Sequence, residues 1–112
     1  MRRLTNVRVS VRQMDIVKNA TWGTHDESWS HVRFQKLQSL VPLRMESIFE
    51  IARRGFNADW VATARSRPAI QDGWRIVAFV DCDVEMVFDV VKVGVRGRVQ
   101  TIHLQEVGSV QS

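Results

Sequence analysis

The sequence predicts an α+β domain: an N-terminal strand, two or three helices, then a three-stranded antiparallel meander. The expected sheet has four strands, mainly antiparallel, with helices on one face. Three observations carry that expectation. Apolar residues alternate early, at Val7, Val9 and Val11. They recur at three- and four-residue spacing through the middle of the chain, and they return to alternation beyond Gly73. A chain of 112 residues without a Gly/Ser/Pro-rich linker or internal repeat fits one domain, 1–112, with 108–112 as a flexible tail.

The first strand starts at Asn6, with Val7, Val9 and Val11 on one face and Arg8, Ser10 and Arg12 on the other. Its phase is lost at Met14, Ile16 and Val17, through either a bulge near Gln13 to Asp15 or the end of the strand. Thr24-His25-Asp26-Glu27 reads as a capping box, and Trp29, Val32, Leu37 and Leu40 follow at helical spacing. Pro42 closes that helix. Met45, Ile48, Phe49 and Ala52 form the inner face of a second, with Arg53 and Arg54 in its last turn and Gly55 as its left-handed cap. Asn57 caps a short third helix whose inner face is Trp60, Val61 and Ala64, and Pro68 stops it.

Strands then run from Trp74 to Val80, Val84 to Val93 and Arg98 to Val107, joined by turns at Asp81-Cys82-Asp83 and Gly94-Val95-Arg96-Gly97. The first two are apolar on both faces, more than a half-solvated antiparallel sheet requires. Helices cover one face. The other calls for a second cover: a symmetry-related copy is the commonest one, which predicts a homodimer, and the competing cover is the chain's own segment Asn19 to Gly23 with Trp22.

Lys and Arg number 16 against 12 Asp and Glu, a net charge of +4, and 13 of the 16 cations are Arg. The positive charge concentrates in residues 1–20 and around Arg53, Arg54, Arg65, Arg67 and Arg75. A lone Cys82 excludes an intramolecular disulfide and a Cys-based zinc site. No secretion signal or bilayer-length apolar run is present, so the expected location is cytoplasmic, with no membrane association.

No catalytic constellation is found: no phosphate loop, no nucleophile elbow, no His-Glu-x-x-His. His25, His31 and His103 do not make a ligand set. Asp81 and Asp83 are explained by turn chemistry, so neither a metal nor any other cofactor is expected. Two candidate surfaces follow. One is a small-ligand pocket between helices and sheet lined by Trp22, Trp29, Phe88 and His103. The other is a nucleic-acid contact made by Arg8, Arg12, Arg75, Arg96 and Arg98. Four of these form one basic ridge if the first strand lies beside the last.

Arg75-Ile76-Val77-Ala78-Phe79-Val80-Asp81, continuing to Lys92-Val93-Gly94-Val95-Arg96, resembles the sheet of RelE-type endoribonuclease toxins. The resemblance covers about a fifth of the chain, within its alternating stretch. It implies a strand, a helix hairpin and antiparallel strands, and a small basic protein acting on RNA through Arg75, Arg96 and Arg98. The chain departs from that family in having no Tyr. The leading expectation is a non-enzymatic, self-associating binding or accessory module of the size found in small bacterial and mobile-element proteins. A basic nucleic-acid-acting module and a small-ligand binder stand as alternatives.

Overall fold

The computed structural model describes residues 4–18, 25–81 and 84–111. Six strands and one helix follow in order: β1 (Leu4–Lys18), β2 (His25–Pro42), α1 (Met45–Arg53), β3 (Trp60–Arg65), β4 (Arg75–Asp81), β5 (Val84–Arg96) and β6 (Val99–Gln111). They close into an antiparallel barrel in the order β1-β2-β3-β6-β5-β4. The seam is the pairing of β1 with β4, Val9 opposite Ala78 through Arg12 opposite Arg75. Closure gives each strand a partner on both sides along part of its length.

The α+β architecture is therefore overturned, and the reason lies in β2. Its ladder with β1 shifts register between Val11 and Arg12, so that Arg33 faces Val11 and His31 faces Arg12 with Val32 left over. A second irregularity sits at Asn6, whose φ of 53° is left-handed; Thr5 pairs with Ser39 and Val7 with Leu37, and Leu37 and Leu40 both point inward. Each irregularity changes the face that side chains occupy, and inward residues three apart in a strand imitate the spacing of a helix. The expected third helix is β3. Val61 and Thr63 alternate with the fully buried Ala62 and Ala64, and the β-branched pair favours the extended form.

Other expectations hold or are adjusted. Val7, Val9 and Val11 are buried, and α1 ends as expected, with Gly55 left-handed at φ 99°. The turn after β5 falls at Gly97 and Arg98, and the expected tail at 108–112 is strand up to Gln111, which pairs with Val84. Thr24 of the expected capping box, Cys82 and Asp83 lie outside the described residues. The toxin-like layout also falls, because a closed barrel has no helix hairpin across a sheet.

The barrel is filled. Val9, Val11, Leu37, Leu40, Ile76, Phe88, Ile102 and Leu104 form its core, with Trp60 packed edge-on against Phe88 at 5.3 Å. β3 and β4 stand on opposite sides of the barrel, so the segment 66–74 joining them has to cross one end of it. It is anchored there by a buried glutamine. The Gln100 side chain accepts a hydrogen bond from the Ile70 amide at 3.0 Å and donates to the carbonyls of Arg65 and Pro68 at 2.6 and 3.0 Å. Ile70 thereby plugs the core from below, only 2% exposed. The opposite end carries α1, held by the link from β2 to β3 in which the Leu43 amide donates to Asp59 and the Asp59 amide to Leu104.

Candidate functional site

Helix α1 is short, and its apolar residues are spread too widely for one contact. At 100° per residue, Met45, Ile48, Phe49, Ile51 and Ala52 cover an arc of about 160°. Ile51 is buried and Ile48 half-buried, which accounts for one edge of that arc. Met45 and Phe49 at the other edge are 68% and 62% exposed, and Ala52 is exposed beside them. Phe49, expected on the inner face of this helix, lies outside the core. Glu46, Glu50 and Arg53 flank the exposed stripe, and Arg54 pairs with Glu50 at 3.5 Å on the surface. Acidic groups therefore sit early in the helix and basic groups late, as the helix dipole favours.

A second surface lies on the outside of β1, β2 and β4. Arg8 stacks over Phe34 at 4.3 Å, and Phe34 contacts His31 and Phe79 with ring centroids 4.5 and 6.3 Å away. Beneath them Ser10 shares a 2.6 Å hydrogen bond with the His31 Nδ1, and both Ser10 and Val77 are 2% exposed. Next to this patch Arg75 stacks over Trp29 at 4.1 Å and pairs with Asp89 at 2.9 Å. The outer face of the sheet is thus covered in part by its own long side chains.

The expected site residues do not assemble. Phe88 is inside the barrel, whereas Trp29 lies under Arg75 on the outside. His103 is on the outer side of β6, edge-on to Phe56 at 5.3 Å, and Trp22 lies outside the described residues. Burial first, then the charges of Arg54 and Lys92, hold the His103 pKa below its ordinary value. With one short helix at the end of a filled barrel, there is no layer of helices to form the expected pocket against the sheet. The basic ridge is divided as well, because β1 lies between β2 and β4 rather than beside β6. Arg8, Arg12 and Arg75 share the outer aromatic face, while Arg96 and Arg98 flank the β5–β6 turn.

Among the described residues no group of three or more His, Cys, Asp or Glu could hold a metal ion, and every buried side-chain polar atom has a hydrogen-bond partner. Among them, too, no helix is long and apolar enough to cross a membrane.

No protein-family model and no curated protein matches the chain. Among solved structures, the solution structure of protein SF1141 from Shigella flexneri 2a, a structural-genomics target, is similar over 95% of each chain, with a TM-score of 0.67 and 13% identity. At that identity the likeness concerns the fold alone.

Proposed function

We propose that this chain is a non-enzymatic module that pairs with a second copy of itself through the outer stripe of α1. The observation that carries the reading is the exposed Met45–Phe49–Ala52 stripe on a helix with Glu46 in its first turn and Arg53 in its last. A two-fold axis perpendicular to the helix makes the two copies antiparallel. Glu46 of each then lies opposite Arg53 of the other, on the same flank of the contact, while Phe49 sits near the axis and meets itself. Apolar side chains leave water and the flanking charges match, so one surface serves as its own partner. His103, whose pKa is lowered by burial and by Arg54 and Lys92, faces an aromatic ring and two cations rather than an acid or a nucleophile.

A nine-residue helix is short, about 13 Å. It offers less than the roughly 800 Å² per partner of a standard interface, so the pairing is weak and depends on concentration. Light scattering across a dilution series from about 5 to 200 μM tests it, with a mass rising from 12.9 kDa toward about twice that value. Phe49→Glu, at a side chain that supports nothing inside its own fold, should hold the mass at the monomer value. A mass of 12.9 kDa for the parent at every concentration would refute the proposal.

A further inference from the structure

We infer that the end of the barrel crossed by segment 66–74 carries a binding groove for the phosphodiester backbone of a nucleic acid. Two adjoining depressions of about 780 and 380 Å³ lie there, and they share Gln38, Arg65 and Arg67. Lys36 and Arg98 complete the charged lining, which among the described residues holds four cations and no carboxylate. Among the described residues none of these four cations has an ion-pair partner; the pairs formed are Arg54–Glu50 and Arg75–Asp89. Four like charges without counter-charges in one groove make a local positive potential well above that of a chain whose net charge is only +4.

The groove is also built rather than incidental. Gln100 fixes the carbonyls of Arg65 and Pro68 on either side of Arg67, and Gln35 donates a further hydrogen bond to Pro68 at 3.1 Å. The Ser66 amide donates to the Arg98 carbonyl at 2.9 Å, which ties the crossing segment to the β5–β6 turn. The backbones bearing three arginines are therefore held by a buried anchor while their guanidinium groups line open space.

The identity of the ligand follows from the lining. Three of the four cations are Arg, whose planar fork matches two oxygens of a phosphate. They sit on β2, on β3 and the segment after it, and on the turn into β6, three neighbouring strands spanning about 10 Å. That spread suits a run of phosphates better than one small anion. Among the described residues no aromatic ring lines either depression, so these offer bases no platform on which to stack, and the contact is to the backbone irrespective of sequence. The inference does not depend on self-association, because α1 stands at the opposite end of the barrel.

Fluorescence anisotropy of the full chain with a labelled duplex of about 20 base pairs, across 50–200 mM salt, reads this directly. Arg67→Gln/Arg98→Gln removes two contacts and should weaken binding roughly 10- to 100-fold at 0.1 M salt, with a log–log salt slope shallower by about two. Arg8→Gln/Arg12→Gln removes the same charge from the outer aromatic face and should change affinity less than about threefold, the share due to overall charge alone. Lys36→Gln/Arg65→Gln repeats the groove test if the first pair melts early. Equal losses from the groove and outer-face variants would overturn the inference, as would no binding by the parent at 50 mM salt. It also fails if low-millimolar inorganic phosphate displaces the duplex and affinity does not change with duplex length, since the groove would then take single anions.

Discussion

Replacing Gln100 by Leu tests whether the crossing segment is held as described. Leu is close in size and keeps the volume filled, so the loss is one of hydrogen bonds rather than of packing. The Gln100 side chain is fully buried and has partners on three backbone groups. The Ile70 amide is buried and would be left without an acceptor, which costs about 1–3 kcal/mol. The Arg65 and Pro68 carbonyls are partly exposed, so water replaces some of what they lose, at about 0.5–1 kcal/mol each. The expected destabilisation is about 2–5 kcal/mol, a large share of the roughly 5–15 kcal/mol by which a domain is stable. Urea unfolding monitored by tryptophan fluorescence measures it as a lower midpoint at unchanged slope. A loss under about 1 kcal/mol would show that segment 66–74 does not depend on Gln100, and the stated anchoring of the basic groove would fail with it.

Two further outcomes follow from the packing and the charges. Phe88→Ala, inside the barrel, should cost about 3–5 kcal/mol in the same urea assay. Phe34→Ala, at a side chain 53% exposed, should cost under about 1 kcal/mol, and equal losses would contradict the inward and outward assignment. His103 has its pKa lowered by burial and by Arg54 and Lys92, so the folded state binds its proton less readily than the unfolded chain does. Its contribution to stability is fully present above the unfolded value near 6.5 and is lost as pH falls through the lower folded value. His103→Gln should therefore flatten the decline of stability with acid over that window, and an identical pH profile in both proteins would refute the assignment.

Where the sequence could be read, it was read through simple alternation. Val7, Val9 and Val11, the strands from Trp74 onward and the Gly55 end of α1 each show a local signal that the fold does not override. The apolar character of both faces of the stretch 74–93 was also visible. Its main explanation is barrel closure, which buries Ile76, Ala78 and Phe88 on the inside, while Val77 is covered on the outside. That solution was hidden because it requires β2 and β3 to be strands, and β2 breaks its alternation at Val32 and again opposite Asn6. Neither break has a glycine or proline to mark it. The basic residues were recognisable individually, but their grouping depends on strand order: Arg8 joins Arg96 only if β1 adjoins β6, whereas Arg65 and Arg67 join Arg98 because β3 does. The exposed stripe of α1 did leave a trace, since its apolar arc is wider than one buried contact uses.

The central claim, pairing through antiparallel copies of α1, is tested most directly by where two chains can be joined. With Cys82→Ser as background, Phe49→Cys places one thiol near the proposed axis, where helices in contact bring facing residues within disulfide reach. Val107→Cys places it on an exposed strand position outside the stripe. Under a mild oxidant at about 50 μM protein, a concentration suited to a weak contact, Phe49→Cys should accumulate a covalent dimer rapidly and Val107→Cys slowly, and Met45→Glu added to the first variant should suppress the link. Equal rates at the two positions, or no link at Phe49→Cys, would contradict the account.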